Sequence, residues 1–345
     1  MDNNKVDEHK LAEELVVSLE RPDGSLALRP VHSLGIGTTG IFEPSPIAKN
    51  YCTAEHFQGD SVPVTVRFSN GSGSATRHDG WSDVRGMATR FHLKKKAATD
   101  LIAMTLPEFF SPDGESFLDF AIAAKPKPYS RETPLRKMLD YLSLKVPERN
   151  PYPKETISPD AGAKDYANKH KFAQLAVFNA ANIGAPVSYA RASYHAVHSF
   201  IVTGPDHTRR WVRFNWQPIA GVLNTNPMEP PEDNYLDTEM HNRLTGQGTA
   251  RFGLNMSIGE IGDDVNDCTR PWPPHRVRVV MGTLTLDTVV SEAEQKDQIE
   301  KMSFNPWLLT GGIDPSDDPV LRIRHEAYKI SSKKRGGTAC PFGKG

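Results

Sequence analysis

Five stretches of this chain carry the alternation of β-branched and polar residues that suits a strand with one face buried. They are Val62-Pro63-Val64-Thr65-Val66-Arg67-Phe68, Gly86 to Leu93, Ser193 to Val202, Arg210 to Trp216, and Arg276 to Leu286. Asn70-Gly71-Ser72-Gly73-Ser74 reads as the loop after the first. Successive side chains of a strand point to opposite faces, so every such run needs an apolar layer on one side. Helical signals sit near the two ends. Leu11, Leu15, Val16 and Leu19 form a short stripe in an N-terminal arm, which Pro22-Asp23-Gly24 closes with a turn. Ser291 to Met302 opens with a serine cap and a glutamate-rich first turn. Asp318 to Lys334 has Asp317 or Asp318 as its cap and Pro319 at the first helical position. Strands in the middle and helices at the end predict an α+β fold, with an antiparallel sheet large enough to close into a barrel. Residues 125–170, rich in Pro, Lys and Tyr, are expected as loops and short helices. The expected division is an arm over 1–25, a single domain over 26–335 and a tail over 336–345.

Composition excludes several classes. Hydrophobic residues are 38% and charged residues 24%, a globular balance rather than a disordered one. No apolar run approaches the ~18 residues of a membrane span. Lys plus Arg is 41 against 42 Asp plus Glu, a net charge of -1, which offers no broad field for nucleic acid. Met1 to Glu8 lacks the basic and apolar regions of a secretory signal. Cys52, Cys268 and Cys340 are too scattered for a disulfide frame or a structural zinc site, so a reducing, cytoplasmic setting is expected.

Four short constellations carry chemistry. Gly35-Ile36-Gly37-Thr38-Thr39-Gly40 matches the outline of a dinucleotide loop, but Pro44 and Pro46 forbid the helix that must follow. Its glycines are expected to let the backbone turn tightly beside something bulky. His195 and His198 would share one face of a helix and could hold a metal. Their neighbours favour a strand, which sets them on opposite faces as hydrogen-bonding histidines. Arg324 and Tyr328 stack at i, i+4. They are either a surface cation–π pair or a guanidinium favouring a phenolate, a hard donor suited to ferric iron. Arg29 and His32 either hydrogen-bond separately or combine a base with an anion clamp.

In order, these pieces resemble the haem catalases. Arg29-x-Val31-His32-x-x-Gly35-x-Gly37, followed by Gly40 and Phe42, is similar to their distal-histidine segment. Val64 to Ser69 resembles their next strand, and Asp83-Val84-Arg85-Gly86-Met87-Ala88-Thr89-Arg90-Phe91 the one after. Asp100-Leu101, Pro107, Phe109-Phe110 and Phe117 keep the order, as do Trp211 to Pro218 and Asp267 to Pro273. Phe304-Asn305-Pro306, Gly312-Ile313 and Ser316-Asp317 lead to Arg324 and Tyr328 as in the proximal segment. The match spans about residues 28–330. The sequence stops soon after Tyr328, without the family's helical C-terminal domain, and so resembles the short catalase-related peroxidases.

The resemblance implies a catalase-like closed β-barrel with flanking helices, forming one haem domain over residues 26–335. It implies ferric haem, of the b type, with Tyr328 as the iron ligand and Arg324 stabilising its charge. His32 would be the distal acid–base, and Arg29 and Arg67 would face the propionates with Arg324 near the same side. Val31 and Phe117 would pack on the porphyrin or line the distal cavity, and Asp83 falls at the access channel. Monofunctional catalases place an Asn-Asn pair where Met104 and Thr105 stand here, and one amide helps bind peroxide. Thr105 can donate a hydrogen bond in its place; Met104 cannot. The expected activity is therefore a peroxidase of oxidative-stress type, reducing hydrogen peroxide or an organic (lipid) hydroperoxide at the expense of a small organic donor, with weak catalase activity. No nucleic-acid or transmembrane partner is expected, and a homodimer is allowed. The alternatives are a haem-dependent isomerase or lyase of fatty-acid hydroperoxides, a non-enzymatic haem carrier, and a β-barrel binding protein without haem.

Overall fold

A computed structural model describes residues 3–19, 29–72, 77–95, 98–130, 132–152, 155–158, 161–226, 228–229 and 231–337. The expected turn at Pro22 to Gly24, the loop residues Gly73 and Ser74, and Cys340 lie outside the described residues.

The strands are β1 (Gly35–Pro44), β2 (Val62–Asn70), β3 (Arg85–His92), β4 (Ala98–Met104), β5 (Lys127–Pro128), β6 (Ile157–Ser158), β7 (Tyr194–His195), β8 (Phe200–Thr203), β9 (Arg209–Pro218), β10 (Ala250–Ile258), β11 (Arg278–Val289) and β12 (Ile313–Pro315). Eight of them run β1-β2-β3-β4-β7-β9-β10-β11, and β11 pairs back to β1, so the sheet closes on itself. The neighbours in this ring are antiparallel. β8 and β12 continue from β9 outside the ring, and β5 with β6 forms a separate two-stranded ribbon. The expected α+β class and closed antiparallel barrel are therefore what the chain adopts.

Alternation decides what fills the barrel. Val64, Val66 and Phe68 of β2, and Phe252, Leu254 and Met256 of β10, are buried in one core. Phe42 packs edge-on against Phe91 at 5.2 Å and against Trp216 at 6.1 Å. Burying each such ring contributes about 1.5–3 kcal/mol. On β2 the intervening Thr65, Arg67 and Ser69 are buried as well, because a second layer covers the outside of this wall.

That layer is helical: α1 (Asn3–Ser18), α2 (Gly114–Ala123), α3 (Pro134–Leu142), α4 (Ala161–Ala167), α5 (Lys171–Asn182), α6 (Tyr235–Thr245), the short turn α7 (Glu292–Glu294) and α8 (Pro319–Lys334). Ala12, Leu15 and Val16 of α1 pack with Ala121 of α2 and with Ile323 and Ala327 of α8. Asp318 caps α8 by accepting from the N–H groups of Val320 and Leu321, with Pro319 in the first turn, as its sequence predicts.

Three local expectations change. The glycine run is not a tight turn but strand β1, with Ile36, Thr38 and Phe42 buried. A Cβ on Gly40 would strike the Thr285 carbonyl of β11, so the glycine serves a close strand approach instead. Ser193 to Val202 breaks into the short strands β7 and β8. Ser291 does form a capping box with Glu294, but the helix then widens into a π-turn over Gln295–Ile299. That widening lets Gln295 Oε1 accept from Gly37 N at 2.7 Å, while its Nε2 donates to Glu300 Oε1 at 2.6 Å.

Candidate active site

Between the outer barrel wall and helices α1, α2, α5 and α8 lies a cavity of about 910 Å³. The sequence residues Arg29, Val31, His32, Arg67, Asp83, Phe117, Arg324 and Tyr328 all line it, although they span 300 positions of chain.

His32 sits on the barrel wall with a left-handed backbone, φ 55°. For a non-glycine residue this conformation is sparsely populated and needs surrounding support. Its N–H donates to Gly71 O at 3.2 Å, and its carbonyl accepts from Arg67 Nη1 at 2.9 Å. Its Nδ1 meets Ser69 Oγ at 2.9 Å. Gly86 makes room for the ring: a Cβ there would lie 2.8 Å from His32 Nδ1 and 2.7 Å from Ser69 Oγ. Burial among Arg67, Arg324 and Arg29 pushes the His32 pKa down to about 4, against a partial pull from Asp83. The imidazole is thus neutral at ordinary pH and can accept a proton.

Arg67 is a strut as much as a charge. Its Nε and Nη2 donate to Glu300 at 3.0 and 3.3 Å, and Nη2 also reaches Ser33 O at 3.1 Å. Arg29 donates to the carbonyls of Ile299 and Met302 at 3.0 and 2.8 Å and lies 3.5 Å from Glu300 Oε2. Arg335, whose basic run Lys333-Lys334-Arg335 reads in the sequence as a solvated face, instead lines the same end and donates to Glu300 O at 3.0 Å. Burial and the neighbouring guanidiniums hold Arg29 well below its ordinary pKa and bring Arg335 down to about 10.

On α8, Arg324 Nη2 donates to Tyr328 Oη at 2.9 Å, and its Nη1 meets His198 Nε2 at 2.8 Å. His198 Nδ1 lies 2.7 Å from Asp318 Oδ2, the cap of the same helix. Arg324 has only donors, so His198 Nε2 accepts and Nδ1–H donates to Asp318. Burial keeps His198 below its usual pKa, while the imidazole holds the Asp318 carboxyl below the usual range. Asp318, His198 and Arg324 therefore aim a guanidinium at the phenolic oxygen. His198 is the hydrogen-bonding histidine the sequence suggests, but its partner, 120 residues away, carries no local signal.

The remaining wall is apolar. Ile102, Met104, Phe109, Phe110 and Phe117 face the cavity. Gly86, Met104 and His195 are directly paired across β3, β4 and β7, so they share the face on which His32 rests. Thr105 points the other way: its Oγ1 accepts from Arg85 N at 3.0 Å, and it does not line the cavity. Asp83 lines the cavity and accepts from Ser72 N at 3.0 Å.

The catalase family model matches residues 23–173 and 148–340. The chain belongs to the catalase family. It is 32% identical to the catalase-related peroxidase of Mycolicibacterium paratuberculosis over 311 residues, 90% of this chain and 89% of that one. The catalase-related peroxidase of Synechococcus elongatus is 28% identical over 88% of this chain and 82% of its own length. Catalase-2 of Bacillus subtilis is 29% identical over 87% of this chain but only 42% of its own. The structure of a bacterial catalase superposes with a TM-score of 0.71 at 21% identity, covering 90% of this chain and 58% of that chain, and supports the fold. These relatives are oxidoreductases, and the catalase family is haem-dependent in general. The cavity suits such a group. Arg29, Arg67 and Arg335 converge at one end with Glu300 as the carboxylate among the described residues there, a surplus of two positive charges. A planar apolar ligand carrying two carboxylates balances it.

Proposed function

We propose that this protein is a haem peroxidase that reduces hydrogen peroxide or an organic hydroperoxide and oxidises an organic donor, with weak catalase activity. The observation that carries the reading is a neutral His32 and an Arg324-bonded Tyr328 lining one cavity. Tyr328 would hold the iron through its oxygen, and Arg29, Arg67 and Arg335 would meet the two carboxylates. Bound haem supplies the electrons that reduce the peroxide.

The chain's own residues handle the protons. When His32 Nδ1–H donates to Ser69 Oγ, Nε2 is left as the base. It takes a proton from the near oxygen of the peroxide and returns it to the far one, so that water or an alcohol leaves rather than an anion. Arg67 holds the His32 carbonyl and so fixes the ring's position. Arg324 keeps charge on the Tyr328 oxygen, and His198 and Asp318 keep Arg324 in place.

Met104 on the His32 side of the wall is the reason for weak dismutation. A thioether cannot donate to a peroxide oxygen, and Thr105 is turned away. The phenylalanine-rich wall favours organic hydroperoxides among the peroxides, and it equally suits the isomerase or lyase reading. An absorbance spectrum of purified protein, then turnover of hydrogen peroxide and of an organic hydroperoxide with product analysis, tests the proposal. A haem spectrum with donor oxidation is expected. Rearranged lipid products without donor oxidation would replace peroxidase by isomerase or lyase, and a haem spectrum without turnover would leave a carrier.

A further inference from the structure

Helix α3 faces the wrong way for an element that packs only on its own protein. Leu135, Met138, Leu139 and Leu142 fall at i, i+3, i+4 and i+7, one apolar stripe. They are 62%, 51%, 48% and 73% exposed, whereas Asp140 on the opposite side is 8% exposed. Leu144, just beyond the helix, is exposed too. The orientation is held from outside the helix by the Tyr141 ring, which meets Phe178 of α5 at 6.4 Å, while Asp140 pairs with Arg136 of the same helix at 3.6 Å.

Charge around the stripe is one-sided. Residues 125–150 contain seven Lys and Arg against three Asp and Glu, in a chain whose net charge is -1. Asp140 and Glu148 are buried and Glu132 pairs with Lys164 at 2.9 Å. Among the described residues of this span, the exposed charged groups are Lys125, Lys127, Arg136 and Lys145, all cations; Lys127 pairs with Asp165 and Arg136 with Asp140, which leaves Lys125 and Lys145 without a carboxylate in an ion pair. Lys125 and Pro126 also line one end of the cavity.

We propose that α3 seats the protein on an anionic phospholipid surface, with the Lys125–Pro126 end of the cavity toward the bilayer. The leucine stripe would enter the boundary between headgroups and acyl chains, and the exposed cations would meet the phosphates. A two-fold contact between copies of this face would instead set the same cations against each other. The seat stands independently of the activity. Its consequence, that the organic hydroperoxide is a lipid one, rests on the peroxidase reading.

The test is sedimentation of the holoprotein with vesicles of phosphatidylcholine, and of phosphatidylcholine mixed with phosphatidylglycerol. Binding to the mixed vesicles alone, weakened by salt, is expected. Leu139→Ser with Leu142→Ser should abolish it, and Arg136→Gln or Lys145→Gln should each weaken it by about fivefold. These exposed substitutions should leave the far-ultraviolet circular dichroism and hydrogen peroxide turnover unchanged, while turnover of a vesicle-embedded lipid hydroperoxide falls. Absence of binding to the mixed vesicles, or binding that survives the double serine variant, overturns the seat. So does a dimer that this variant converts to monomer, which assigns the face to a second copy. Vesicle binding without any peroxide turnover would keep the seat and refute the peroxidase reading instead.

Discussion

Gly86→Ala puts one methyl group where His32 rests. The new Cβ would lie 2.8 Å from His32 Nδ1, 2.9 Å from Cε1 and 2.7 Å from Ser69 Oγ. Ordinary contact begins at 3.4 Å, so the ring must withdraw by about 0.6 Å. The backbone cannot supply that shift cheaply, because His32 is held at φ 55° by Gly71 O and by Arg67 Nη1. The ring tilts instead and stretches its 2.9 Å contact with Ser69. A misplacement of ~1 Å can cost about 10²-fold, so a loss of about tenfold in kcat/KM is expected, with about 1–3 kcal/mol of stability lost to overpacking. The assay is peroxide-dependent donor oxidation on haem-normalised samples, with haem content measured alongside. Haem content should hold, because the methyl does not touch the Tyr328 side. A folded variant with normal haem and more than half the wild-type kcat/KM would refute the assignment of His32 on its glycine seat as the working base.

Tyr328→Phe keeps the ring and removes the oxygen that Arg324 serves; loss of haem or a changed ferric spectrum is expected, and an unchanged spectrum at full occupancy counts against the ligand. Met104→Asn places an amide on the His32 side of the wall and should raise oxygen release from hydrogen peroxide more than donor oxidation; Thr105→Asn, facing away, should do less. Burial sets the His32 pKa at about 4, so kcat/KM should stay level from neutral pH and fall only as pH drops through about 4; a midpoint near ~6.5, the ordinary histidine value, is the contrary result. His56, buried against Phe57 and Phe91, is pushed down to about 3. Its folded pKa lies below the unfolded ~6.5, so its contribution is complete above that pH and is lost as pH falls toward about 3. By about pH 5 the loss is about 2 kcal/mol, and His56→Phe should remove that part of the acid sensitivity in urea unfolding.

What the sequence determined by itself is what a few neighbouring residues settle through their own geometry. Asp318 and Pro319 start α8, and a spacing of four then sets Arg324 against Tyr328, whatever the rest of the chain does. Alternation likewise marks β2, β3, β9 and β11, because period two is a property of the extended backbone. β10, which the five expected stretches leave out, has the same alternation in Ala250, Phe252, Leu254 and Met256. β4 was harder to see because both its faces are apolar, Leu101 and Ala103 toward the core and Ile102 and Met104 toward the cavity. The ordered motifs also carried the family and brought Arg29, His32, Arg67 and Tyr328 into view together. Tertiary structure decided the rest. Gly40 of β1 is required by strand β11, whose Thr285 carbonyl crosses it 245 residues later in the chain. Glu300 meets Arg67 across 233 residues, His198 meets Asp318 across 120, and Arg335 joins them only because α8 lies along the cavity. No local pattern encodes such pairings, since they depend on which surfaces the closed barrel and its helical layer bring within hydrogen-bond reach.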